Sequence, residues 1–297
     1  MLHIPGLHDR VKGLLAGECE AANKPAQKGW SRSREGAAQS TEEPAGVIMD
    51  STVAIVVGLL AMLFAALTQG LTGFGFNLVS VPIMIIVLPP TAVVPIVMIY
   101  ATLMTIAIAI EARKWIDLRR IWPLLIAGPV AVPVGVWLLK MLDVNVLKML
   151  IGAAITLFGV AFLRGFAVRI GHERLAMAPV GIVSGILAGC TAMSGPPVIL
   201  FLQNQGVGKQ AFRANLGVYF AVIGAVSVAA FSGAGLMTAP VLRYAALLLP
   251  PVLVGGVAGI KLAHRIEERL FRRIALIVVT IAGVVAMCQG LWALWGE

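Results

Sequence analysis

The sequence predicts an all-α, polytopic integral membrane protein, and three observations carry that prediction. Hydrophobic residues make up 59% of the 297-residue chain and charged residues only 12%, against roughly 45–50% and 25% in soluble domains. Uncharged runs cover 51–110, 121–139, 149–163, 175–208, 214–242, 244–260 and 274–296, to be read against the about 20 residues that cross a bilayer as a helix. Trp115, Trp122, Trp292 and Trp295 stand at run ends, where an indole ring favours the membrane interface. Backbone groups in lipid must bond internally, and a transmembrane β-barrel needs short alternating segments, so the runs read as helices, about 8 to 10 apolar segments in all.

In chain order, residues 1–46 are polar and mixed in charge, with no apolar stretch long enough for a signal peptide. Residues 1–50 are expected to be a disordered extension. Met49 directly precedes the first apolar run and is an alternative translation start. A first membrane repeat is expected over 51–163, a cytoplasmic linker over 164–174 and a second membrane repeat over 175–297.

Basic residues collect in the connections and account for most of the formal charge of +9. They suit cytosolic loops facing anionic headgroups rather than a nucleic-acid surface. Cys19, Cys190 and Cys288 have no metal-ligand or redox spacing, and His3, His8, His172 and His264 lie in the tail or at loops. No metal, cofactor or structural disulfide is expected.

Two halves are related. A shift of 124 residues lays LRRIWPLL (118–125) on LRYAALLL (242–249), Gly135 on Gly259, Leu138 on Leu262, Thr156 on Thr280 and Gly159 on Gly283. With a slightly shorter offset, VGLLAMLFAALTQGLTGFG (57–75) lies on VGIVSGILAGCTAMSGPP (180–197), which places Gly73 on Gly195. Loop 111–120 carries Arg113, Lys114, Arg119 and Arg120 where its partner carries only Arg243. Conversely, 140–149 has Lys140 and Lys148 where 264–273 has Arg265, Arg269, Arg272 and Arg273. Because the basic side swaps, the positive-inside rule implies inverted repeats, each with an odd number of crossings. Loops 111–120, 164–174, 206–213 and 264–273 then face the cytoplasm. The connections around Pro89-Pro90 and 233–240 face outside.

Each half breaks its own helix in the middle of an apolar run, at GLTGFGFNLVSVP (70–82) and at GCTAMSGPP (189–197). The flanking segments, about 19 and 13 residues in the first half and about 15 and 10 in the second, are short crossings or re-entrant hairpins. Irregular backbone survives in a membrane only where protein or a watery cavity supplies partners, and matched breaks in inverted halves point to a midplane transport site. A helix starting after each break turns free N–H groups and a positive dipole end toward the site, which suits an anion. Thr72, Asn77, Thr191 and Ser194 add hydroxyl or amide donors, and Gln69 is an amide in an uncharged run that needs a partner. Close helix packing through small residues is the alternative explanation of the glycines.

These residues resemble the two signature regions of the TauE/SafE sulfite exporter-like family, also called the toluene sulfonate uptake permeases. The resemblance rests on GLTGFGFNLVSVP (70–82) and GCTAMSGPPVILFLQNQGVGKQAFRANLGVYF (189–220) and extends over roughly 51–295. Many members carry a longer glycine run where this chain has Gly73-Phe74-Gly75-Phe76-Asn77. The resemblance implies secondary transport of sulfite, sulfoacetate or other organosulfonates across the cell inner membrane.

The candidate substrate-binding set is Gln69, Thr72, Gly73, Phe74, Gly75, Asn77, Thr191, Ser194, Gly195, Pro196, Pro197 and Arg213. Arg213, at the mouth of the segment after the second break, is either an anion holder or a positive-inside anchor. The expected partners are a small anionic substrate and the lipid bilayer, and a homodimer is allowed. An intramembrane hydrolase built on Ser194 lacks a histidine in any span, so an enzyme is not expected. An anion channel or a non-transporting membrane subunit are the other readings. No GxxxxGK[ST] pattern occurs, so transport is expected to be secondary or facilitated.

Overall fold

The computed structural model describes residues 52–164, 173–203, 208–262 and parts of 277–291. Outside the described residues fall the 1–50 extension, most of the 164–174 linker, loop 264–273 with its arginines, all four histidines, Trp292 and Trp295. Every regular element among the described residues is helical. These are α1 (Thr52–Thr72), α2 (Phe76–Met84), α3 (Pro90–Glu111), a 3-10 turn (Arg113–Trp115), α4 (Leu118–Met141), α5 (Val144–Leu163), α6 (Glu173–Thr191), α7 (Gly195–Gln203), α8 (Lys209–Gly233) and α9 (Ala239–Leu262).

Six of these helices are long and apolar enough to cross a membrane, and α6 adds a shorter apolar helix. Their outward faces are oily: Val130 is 72% exposed and Leu157 66%, as lipid requires rather than water. Trp115 and Trp122 are exposed at the start of α4. The two nine-residue helices α2 and α7 differ in kind. At 1.5 Å per residue each is about 13.5 Å long, less than half of the roughly 30 Å hydrocarbon core, so neither crosses alone. Both are wrapped by the long helices, and in α2 only Asn77 and Ile83 escape full burial.

Local sequence explains where the helices stop and start. Pro89 and Pro90 open α3, Pro90 at a position where a missing N–H costs nothing. Asp117 and Asp143 cap α4 and α5 by accepting the N–H groups of Arg120 and Asn145 at 3.2 and 2.7 Å. Between helices, buried tyrosines supply cross-links: Tyr244 donates to the Ala54 carbonyl and Tyr100 to the Ala245 carbonyl, which suits an interior without water.

Glycine seams hold the bundle. In α6, Gly181, Gly185 and Gly189 recur every fourth residue and lie on Gly128, Ala131, Val132 and Gly135 of α4 so closely that an added Cβ would meet backbone. The contacts advance together along both chains, so α4 and α6 run parallel. A second parallel seam joins α1 and α9, with Gly58 beside Tyr244 and Leu248 and Gly70 beside Gly256 and Gly259. Two further pairs run antiparallel. Gly217 meets Ala109 and Gly224 meets Thr102 between α8 and α3; Gly152 meets Met287 and Gly159 meets Thr280 between α5 and 277–291.

Gly185→Ala should force α4 and α6 apart, because the new methyl would overlap the Gly128 carbonyl. A loss of about 1–3 kcal/mol is expected from such overpacking. Gly233→Ala, with open space around its Cβ, should stay within about 0.5 kcal/mol of wild type. Thermal unfolding in detergent checks both, and an equal response of the two variants would refute the seam.

Candidate functional site

The first break is a glycine turn stapled by one buried amide. After Thr72 the chain passes through Gly73 (φ 80°) and Gly75 (φ 104°), left-handed values that a side chain resists. The Gly73 N–H still bonds the Gln69 carbonyl at 2.8 Å, closing the last turn of α1. Gln69, itself buried, then spans the gap: its Nε2 donates to the Gly73 carbonyl at 3.5 Å and its Oε1 accepts from the Phe76 N–H at 3.1 Å. The partner that an amide in an oily run needs is therefore the break itself. The next two N–H groups of α2, from Asn77 and Leu78, have no acceptor among the described residues.

The second break is built differently. Thr191 donates to the Leu187 carbonyl at 2.8 Å and accepts the Met193 N–H at 3.2 Å, capping α6 with its own hydroxyl. Ala192 takes φ 58°. Behind it, Tyr219 of α8 donates to Ser184 at 2.7 Å, and Ser184 donates to the Ser194 carbonyl at 2.6 Å, a fully buried relay that pins the start of α7. Pro196 and Pro197 carry no N–H, so α7 offers fewer free donors than α2.

Between the breaks lies a cavity of about 50 Å³, room for about three to five waters at ~10–15 Å³ each. The first break contributes Gln69, Phe74, Gly75, Phe76, Asn77 and Leu78; the second contributes Met193, Ser194, Gly195, Pro196 and Ile199. Met98, Ala101 and Thr105 near the middle of α3, and Phe220 near the middle of α8, complete the lining. The Ser194 hydroxyl takes no hydrogen bond among the described residues. Thr105 donates to the Ala101 and Thr102 carbonyls at 2.8 and 3.1 Å.

Of the twelve residues singled out from sequence, Gln69, Phe74, Gly75, Asn77, Ser194, Gly195 and Pro196 line this cavity. Thr191 lies behind it as a cap, and Pro197 is half-buried on α7 away from it. Gly73 makes the turn, with the Arg213 side chain against it: a Cβ there would lie 3.4 Å from Arg213 Nε. The Thr72 side chain falls outside the described residues. Arg213 is 43% exposed and faces Glu111 at 3.5 Å, outside the cavity, a pair worth at most about 1 kcal/mol. Met98, Ala101 and Thr105 escaped the sequence reading because nothing punctuates the uncharged run around them; Phe220 ends the quoted second region.

A cavity held between two broken helices, inside a bundle of membrane-length helices, defines a multi-pass α-helical membrane transport protein. Residues 58–286 match the family described as sulfite exporter TauE/SafE, and the chain belongs to that family. It is therefore a transporter and not an enzyme. The chain is 28% identical over 247 residues to the probable sulfite/organosulfonate exporter TauE of Cupriavidus necator, covering 80% of this chain and 96% of the relative. No solved structure matches.

Gln69→Leu keeps the volume but strands the Phe76 N–H and the Gly73 carbonyl. Orphaned buried groups cost about 1–3 kcal/mol each, so the melting midpoint should fall by several degrees. An unchanged midpoint would show that water takes over the staple.

Proposed function

We propose that the chain is a secondary exporter of small sulfur oxyanions, sulfite first among them and sulfoacetate and other organosulfonates after it, in the inner membrane. The observation that carries the reading is the convergence of both breaks on one cavity at mid-height of α3 and α8. Free N–H groups of Asn77 and Leu78 and the free Ser194 hydroxyl supply donors for an oxyanion. The described lining residues include no charged side chain, so an anion is held by dipoles and released without breaking an ion pair. Size ranks the candidates: sulfite has four heavy atoms and suits the space, whereas sulfoacetate has eight and needs the cavity to widen. The name of the Cupriavidus necator relative supports the same substrate class and direction.

Helix directions support inverted repeats as the scaffold. If α3 corresponds to α8 and α5 to 277–291, each antiparallel pair packs a helix against its own image. The contacts are reciprocal: Gly159 meets Thr280, and Gly283 meets Thr156, under the shift that lays Thr156 on Thr280 and Gly159 on Gly283. Two antiparallel images related by a two-fold axis place that axis across the helices, hence in the membrane plane. The parallel seams α1 with α9 and α4 with α6 are likewise images of each other.

That scaffold puts positions 117 and 237 on opposite faces. Cysteines introduced there, in a chain relieved of its native thiols, should react with an impermeant maleimide from opposite sides. Labelling of both from one side sinks the inverted arrangement.

Substrate assignment is tested by flux of labelled sulfite, sulfoacetate and taurine in proteoliposomes, with and without a pH gradient. Saturable sulfite flux is expected, and absence of all three fluxes sinks the reading. Ser194→Ala removes a donor that no protein group uses, so stability should hold. The half-saturation concentration for sulfite should rise about tenfold or more, from the ~1.5–3 kcal/mol of a hydrogen bond to a charged group. An unaltered half-saturation would remove Ser194 from the site.

A further inference from the structure

One hydrogen bond joins the two breaks directly: Asn77 Nδ2, in the first turn of α2, donates to the Ala192 carbonyl. Both ends of this bond are held in unfavourable states. Ala192 is the single non-glycine residue with positive φ, 58°, among the described residues, a conformation that crowds an L residue's Cβ against the following carbonyl. At the other end, a carbonyl can only accept, so the amide must turn its nitrogen toward Ala192. Its Oδ1 is left buried with no partner among the described residues, and an unmade buried acceptor is destabilising. Elsewhere each break is well supported, by Gln69 in the first and by Thr191 and Ser184 in the second. Ala192 ends α6 as its left-handed C′ residue, its N–H still bonded to the Ala188 carbonyl at 3.1 Å, so the backbone cost of that stop and the unpaired Asn77 oxygen meet at the one contact that crosses from break to break.

We propose that Asn77 and Ala192 form a transient clasp of the transport cycle, closed in this structure and released when the cavity opens. They are positioning residues: the Asn77 side chain sets the distance between the two breaks, rather than giving its carboxamide to the anion. Release lets Ala192 leave the left-handed region and brings Asn77 Oδ1 to water. Closure re-forms the cavity at the cost of both. The flux half of the test rests on the substrate reading above, whereas the exchange half needs the protein alone.

Ala192→Gly separates the clasp from its strain, because glycine accepts φ near +60° without steric cost and keeps the acceptor carbonyl. In the full chain without added anion, hydrogen exchange of amides 73–78 and 192–195 should slow by about three- to tenfold. Maximal sulfite flux should fall by a similar factor, with no rise in half-saturation concentration. Asn77→Ala, which removes the bond, should speed exchange of the same amides. Unchanged or faster exchange in Ala192→Gly overturns the clasp, as does slowed exchange with undiminished flux. Slowed exchange in a protein whose wild type moves no sulfite sustains the clasp and sinks the substrate assignment.

Discussion

A peptide N–H or C=O inside a bilayer has no water to bond, so every interruption of a helix there must bring its own partners. The two breaks meet that demand by different means. Gln69 reaches across a glycine turn and serves a donor and an acceptor with one amide. Thr191 folds back on its own helix, while Ser184 of that same helix and Tyr219 of α8 hold the far side of the gap. Only because this framework is complete can a few groups, the Asn77 and Leu78 N–H and the Ser194 hydroxyl, stay uncommitted next to a cavity. The same division separates residues that make the break from residues available to a solute.

How much of this was legible in the sequence depends on whether the responsible residue looks unusual. The fold class was plain, since charge is confined to the connections and the oily runs have helical length. The breaks were plain too: Gly73 and Gly75 do sit at positive φ, and Pro196-Pro197 do open a helix. Gly70 belonged to the same quoted cluster, yet it is a seam residue against Gly256 and Gly259. A glycine needed for a turn and one needed for close approach are the same letter. Ala192 was invisible for the opposite reason, because alanine reads as a good helix former, yet here it takes the left-handed position that ends α6. Asn77 was recognised as a polar group requiring a partner, but its acceptor lies 115 residues away, and sequence spacing carries no trace of that.

The two breaks differ in chemistry where their short helices begin. One break begins its short helix with Phe-Asn-Leu and the other with Gly-Pro-Pro. Two of the N–H groups that a helix start would present are thus missing from one side of the cavity. The first break thus lines the cavity with residues whose N–H groups are unpaired among the described residues, and the second chiefly with a hydroxyl and apolar surface. The two walls of one cavity are therefore chemically unlike.

The glycine seams also decide which parts of the molecule can shift together. Where backbone lies on backbone, as between Gly185 and Gly128 or Gly259 and Gly70, no side chain stands between the helices to change rotamer and absorb a displacement. Such a pair slides or tilts as one beam. Each beam takes one helix from before the 164–174 connection and one from after it, so the mechanical units cut across the order of the chain. Any rocking of beam against beam then draws on helices from both sides of that connection at once.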